Sequence, residues 1–142
     1  MVSTSDSERL PHRNLYTRIM ATSTGVGVFA IRDIPEGTRL FVGDVGETVA
    51  LPISDVEEIA DDEIRRMYID FCPVVDGCYI APVDFNQITM AWYLNHSDKP
   101  NVAVLEDLQF VASRFIPRGI ELISDYRTYS NHAASYVRKW RD

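Results

Sequence analysis

The sequence predicts an α+β domain that is mainly β. Three observations lead there: short runs rich in Val, Ile and Phe broken by Pro and Gly, a β-favouring stretch folded about Asp76-Gly77, and only two segments with helical signals. The chain has 142 residues and is 46% hydrophobic. At that length folding buries roughly 70% of the unfolded chain's surface, so one core needs no metal or disulfide to complete it. The expected organisation is a flexible polar arm over residues 1–14 and a single domain over residues 15–142.

The elements follow in order. Val26–Arg32 and Thr38–Val49, separated by Pro35 and Gly37, read as strand, turn, strand. Ser54 with Glu57 three residues on is a capping-box pattern, and Ile59, Ile64 and Met67 line one side of a helix expected from about Asp55 to Tyr68. Phe71–Pro82 around Asp76-Gly77 reads as a hairpin. Short strands are expected at Val102–Leu105 and Phe110–Phe115. A closing helix is expected from Ser130, where Ala133, Ala134, Val137 and Trp140 are helically spaced and Arg138 and Lys139 suit the negative end of the dipole. The run Phe29 to Leu40 is echoed by Val111 to Leu122, with Ala, Arg, Ile, Pro, Gly and Leu recurring in register. Either two strand pairs share one turn chemistry, Pro second and Gly fourth, or the segments descend from a duplication. Two copies are too few for a solenoid.

Composition excludes several classes. With 21 acidic against 14 basic residues and a formal charge of -7, the chain lacks the cationic surplus that sequence-independent nucleic-acid binding needs. No apolar run approaches the roughly 20 residues of a membrane span, and Met1–Glu8 has no signal-peptide core, so an intracellular protein is expected. Cys72 and Cys78 with three scattered histidines make no structural zinc set and read as plain thiols.

Three polar segments are candidates for chemistry. Gly25-Val26-Gly27-Val28-Phe29-Ala30 matches a dinucleotide fingerprint in letter, but Pro35 follows where that motif needs a helix N-terminus. Its glycines either form a bend or let a strand edge approach a flat cofactor. Asn95-His96-Ser97-Asp98-Lys99-Pro100-Asn101 is a loop whose side chains commonly cap their own backbone. Asp125-Tyr126-Arg127-Thr128-Tyr129 ends the second echo, and tyrosines there are more often packing residues with satisfied hydroxyls.

Taken in order, the segments resemble the motifs of the SET-domain protein lysine methyltransferases. Gly25-x-Gly27 with Val28-Phe29-Ala30 resembles the first motif. Tyr93-Leu94-Asn95-His96-Ser97 with Pro100-Asn101 resembles R-F-I-N-H-S-C-x-P-N, and Gly119-Ile120-Glu121-Leu122 with Asp125-Tyr126 resembles G-E-E-L-x-x-D-Y. Order and spacing agree from about Arg18 to Tyr129. The resemblance implies several small curved sheets and a C-terminal segment threaded pseudoknot-like through a preceding loop so that the N-H-S and D-Y motifs meet; the cysteine-rich zinc segments that flank many members are not expected here, since the sequence has two cysteines. It implies S-adenosylmethionine held by Gly25, Val26, Gly27, Asn95 and His96, with Tyr68 a further candidate and Trp140 or Tyr136 stacking on adenine or lying in the core. It implies Tyr126 as the catalytic tyrosine and a lysine in a protein or peptide as substrate, with no metal. Free lysine titrates near pH ~10.4, so its amine must be held neutral, by desolvation and a neighbouring sulfonium, before it can attack.

Departures are specific. Trp92 stands at the first position of R-F-I-N-H-S, Asp98 at its cysteine and Ile120 at the first glutamate of G-E-E-L. Ser124 stands two before Tyr126, where the family has an aromatic residue linked to the number of methyls added. The family's Tyr-x-Gly-Glu segment aligns with Phe41-Val42-Gly43-Asp44 or Asp44-Val45-Gly46-Glu47, neither of which supplies its tyrosine. The alternative to an active enzyme is a catalytically silent module that binds a partner or S-adenosylmethionine without turnover.

Overall fold

A computed structural model describes residues 10–43, 47–105 and 109–129. In chain order the elements are β1 (Thr17–Thr22), β2 (Gly25–Ala30), β3 (Arg39–Leu40), β4 (Thr48–Pro52), α1 (Ile53–Glu57), α2 (Asp62–Phe71), β5 (Val74–Val75), β6 (Cys78–Pro82), β7 (Asn95–His96), β8 (Val102–Val104), β9 (Phe110–Ala112) and β10 (Glu121–Ser124). The larger sheet runs β1-β2-β10-β8-β9-β3 with β7 also on β10, and the smaller runs β4-β6-β5. The architecture is the expected mainly-β α+β fold of small sheets. The segment expected to form a closing helix, with Tyr136 and Trp140, lies outside the described residues.

The sequence echo turns out to be a pairing unit. Val28 faces Leu122, Phe29 faces Glu121, Ile34 faces Ile116, Arg39 faces Val111 and Leu40 faces Phe110, all antiparallel and in one unbroken register. Ile34 and Ile116, equivalent positions of the two copies, exchange backbone hydrogen bonds of 2.8 and 2.9 Å. On either side, Gly119 N–H donates to Ala30 O and Gly37 N–H to Ala112 O, both at 2.8 Å. The two copies are thus related by a local two-fold axis between the isoleucines. Both isoleucines are fully buried beside Val28, Ala30, Leu40, Ala112 and Leu122, which explains why small and branched residues recur at matching places. The turn is shifted by one from the expected position: Thr38 N–H donates to Pro35 O and Ile120 N–H to Pro117 O, so Pro is first and Gly third. Gly37 and Gly119 have φ of 83° and 89°, the left-handed third position of a type II turn.

Two expectations are corrected. Val26–Arg32 and Thr38–Val49 do not form one hairpin, because β2 pairs with β1 and β10 while β3 pairs with β9. The helix expected from Asp55 to Tyr68 is two helices, and the Ser54/Glu57 capping box is not used. Pro52 ends β4 and starts α1 without a side-chain cap, and Ile53 N–H donates instead to Gly77 O at 3.1 Å, so Ser54 falls inside the helix. The working cap is Asp61, whose carboxylate accepts from Glu63 N–H at 2.9 Å and Ile64 N–H at 3.2 Å. Asp62 and Glu63 add negative charge at the positive end of α2, and Pro73 stops the helix at Cys72. Ile64 is exposed, while Met67 is half-buried on the inner side. The hairpin at Asp76-Gly77 forms as expected, with Val75 opposite Cys78 and both turn residues at positive φ.

β10 completes the fold. Its first half lies beside β2, and its second half is bracketed by β7 and β8, both parallel to it. Because β7 and β8 are the two arms of one loop, the late strand passes through that loop. Asn101, 2% exposed, clamps it: its Nδ2 donates to Glu121 O and its Oδ1 accepts from Ile123 N–H, each at 2.9 Å.

Candidate functional site

The threaded loop gathers the polar segments into one region. Asn95 Nδ2 donates to Val26 O at 2.9 Å and to Glu121 Oε2 at 2.8 Å, joining the first, second and third motifs through one amide. Gly27 lies beneath that junction, buried, and a Cβ there would run into the Glu121 carboxylate and stand 3.1 Å from Asn95 Nδ2. Backbone and carboxylate can approach this closely only because position 27 carries no side chain. Gly25 and Val26 are exposed along the same strand edge.

One residue further on, His96 Nδ1 accepts from Tyr126 N–H at 3.0 Å, and the two rings lie 5.1 Å apart. An accepting Nδ1 carries no proton, so the imidazole is the neutral Nε2–H tautomer here. Asp125 Oδ1, 3.8 Å from that nitrogen, is therefore not its ion-pair partner. Asp125 is held instead by Arg127 through Nε at 2.9 Å and Nη2 at 2.7 Å, which with the neighbouring backbone N–H keeps its carboxyl below the usual carboxylate range. This fork, with Asp125 also accepting from Arg127 N–H, shapes the 3₁₀ turn that carries Tyr126.

Tyr126 donates its hydroxyl proton to Leu94 O. Burial first, then Tyr129 and Glu121, push its phenol far above the ordinary range, so it stays protonated at neutral pH. With its proton committed to a carbonyl, the oxygen keeps lone pairs that can only accept. Tyr129 lies 5.9 Å from Tyr126, ring to ring, and its hydroxyl meets the fully buried Ser124 Oγ at 3.0 Å. Burial raises it to about 12. The ring of Phe110, in turn, lies against both Tyr129 and Phe41.

Of the residues named from sequence, Gly25, Val26, Gly27, Asn95, His96 and Tyr126 fall in this region. Tyr68 sits on α2, its ring edge-on to Phe85 at 4.9 Å and tilted to Tyr79 at 6.2 Å. Trp140 lies outside the described residues. Three residues of the region had no role assigned from sequence: Glu121, quoted only as part of a motif, Asn101 and Tyr129. Among the described residues no cluster of three or more His, Cys, Asp and Glu side chains is arranged to hold a metal. A cavity of about 170 Å³ between Leu10–Thr17, Leu40–Val42 and Met90 includes none of the candidate cofactor residues. A strand edge bare of side chains at Gly25 and Gly27, beside the Asn95 amide that Val26 O and the Glu121 carboxylate hold between them, fits a flat ligand that also carries a cationic donor.

Comparison with known proteins agrees with the architecture. The crystal structure of a Plasmodium falciparum protein provisionally named a histone methyltransferase superposes with a TM-score of 0.50 at 21% identity, covering 78% of this chain and 92% of that one. At that identity the likeness speaks for the fold. No curated protein sequence matches the chain significantly. The sequence profile of the SET domain matches residues 25–127, from the glycine strand through the Tyr126 turn, and so the chain belongs to the SET-domain family.

Proposed function

We propose that the chain is an S-adenosylmethionine-dependent methyltransferase acting on the ε-amine of lysine in a protein or peptide. What carries the reading is the meeting of the Gly27–Asn95–Glu121 junction with the His96–Tyr126 contact, two adjacent positions of β7 serving both. The Plasmodium falciparum neighbour's name points the same way. Gly25, Val26, Gly27, Asn95 and His96 would hold the cofactor, which when bound supplies a methyl group on a sulfonium. Tyr126 Oη and Leu94 O are two acceptors side by side, suited to holding the N–H groups of a lysine amine and aiming its lone pair. Tyr126 is no base, since its phenol is already protonated and keeps that proton on a carbonyl. Exclusion of water by the surrounding aromatic rings favours the neutral amine over the ammonium.

The test is transfer of labelled methyl from S-adenosylmethionine onto a mixture of basic proteins, with calorimetry of S-adenosylhomocysteine alongside. Tyr126→Phe abolishes transfer while cofactor affinity survives, and loss of one hydrogen bond lowers stability by about 1 kcal/mol. Undiminished transfer in that variant removes Tyr126 from the mechanism. The second reading, a silent module, draws on the Tyr-x-Gly-Glu segment, whose tyrosine neither Phe41 nor Asp44 supplies, and on Ser124, which stands where an aromatic residue is expected. Cofactor binding with no transfer on any basic protein would favour it.

A further inference from the structure

Glu121 occupies a position in β10 between two different demands. Leu122 beside it turns inward to the core and is fully buried, so Glu121 turns to the opposite face, toward Gly27 and Asn95. There its carboxylate and Val26 O both take protons from the same Asn95 NH₂. Neither of these neighbours can donate. An amide presented with two obligate acceptors has one satisfied orientation, so its NH₂ faces them and its Oδ1 is forced to the other side. A neutral amide at 121 would not enforce this, because it can itself turn and offer either group.

We propose that Glu121 is a positioning residue for ligand recognition: it fixes the Asn95 amide so that Oδ1 is presented as an acceptor, and its charge makes this corner selective for an ammonium group. The inference deepens the methyltransferase reading and rests on it. Asn95 Oδ1, turned away from Val26 O and the carboxylate, is the acceptor offered to a ligand, and the negative charge held behind it favours the ammonium end of an amino-acid tail over its carboxylate. Gly27 belongs to the same device, since any side chain there would displace the carboxylate from Asn95.

The experiment compares two ligands by calorimetry on the full chain: S-adenosylhomocysteine, which has the amino-acid tail, and 5′-methylthioadenosine, the same nucleoside thioether without it. Glu121→Gln is expected to weaken S-adenosylhomocysteine tenfold or more, about 1.4 kcal/mol per factor of ten, and to change 5′-methylthioadenosine less than twofold. Glu121→Asp, which keeps the charge, is expected to recover part of the difference. Equal weakening of both ligands, or no weakening of either, would overturn the proposal, as would failure of the near-isosteric Glu121→Gln to fold, which would make Glu121 a fold residue. If the natural chain binds neither ligand, the cofactor reading itself falls and the proposal with it. Binding of both by the natural chain with identical behaviour in Glu121→Gln overturns only the role of Glu121.

Discussion

Replacing Gly27 with alanine sets two physical effects against each other. Within a strand, alanine is favoured over glycine by roughly 0.5–1 kcal/mol because it loses less conformational freedom on folding. Position 27 lies in β2 with Met20 opposite it, so propensity alone predicts a small gain in stability. The local geometry predicts a loss. The new Cβ would lie 3.0 Å from Glu121 Cδ and 3.1 Å from Asn95 Nδ2, well inside the ~3.5–4.0 Å of an ordinary carbon contact. The Glu121 side chain is the part able to move, and its departure removes the charge-assisted hydrogen bond to Asn95, worth about 1.5–3 kcal/mol. Set against the propensity gain, the net destabilisation is about 1–2 kcal/mol, a fall of roughly 3–6 °C in melting temperature. Affinity for S-adenosylhomocysteine falls about tenfold. The sharper measurement is the cycle with Glu121→Ala: once the carboxylate is gone, Gly27→Ala has little left to displace, so the two effects are strongly non-additive. Full additivity, or a Gly27→Ala protein as stable and as tight-binding as the parent, refutes the close-approach account.

Other predictions concern the fold that carries the site. Asn101→Ala leaves one backbone donor and one acceptor of β10 unsatisfied in a buried place and lowers stability by about 2–5 kcal/mol, measured by denaturant titration. Asp61→Ala costs about 0.5–2 kcal/mol as a lost helix cap, whereas Ser54→Ala stays within about 0.5 kcal/mol; the reverse order would restore the capping box. In alkali, Tyr129 and Tyr126 prefer the protonated state more strongly folded than unfolded. Their contribution to stability is complete below pH ~10 and is lost as pH rises through about 12 for Tyr129. Part of the phenolate absorbance of the seven tyrosines therefore stays missing above pH ~10 until the chain unfolds, and Tyr129→Phe shrinks that missing fraction.

The parts of this molecule that could be read from sequence are those whose cause is local. Asp76-Gly77 makes its turn from the φ preferences of two adjacent residues, and Val102–Leu105 and Phe110–Phe115 contain β8 and β9 because their side chains suit a half-buried strand. The helix start is not legible locally, because Ser54 satisfies the same pattern as a true cap and the decision is made by Gly77, whose carbonyl takes the Ile53 proton from another segment. β1 has no clear signature: Arg18 and Met20 are outward and Thr17 is the buried end, so apolar alternation is weak. In the site, motif order identified Asn95, His96 and Tyr126 as a group. The roles of Glu121, Asn101 and Tyr129 depend on which distant atoms they meet, Val26 and Gly27 in one case and the β10 backbone in another, and no spacing rule carries that information.

The two-fold ladder between Phe29–Leu40 and Val111–Leu122 also governs when the site can exist during folding. Every rung joins residues from opposite ends of the domain, so loop-closure entropy must be overcome before any rung is rewarded. A nascent chain that has emerged only as far as β9 holds Gly27, Asn95 and His96 yet lacks Glu121 and Tyr126, the groups that fix them. Ligand-binding competence should therefore arise in a single late step, as the final strand enters the loop, and not build up gradually along the chain.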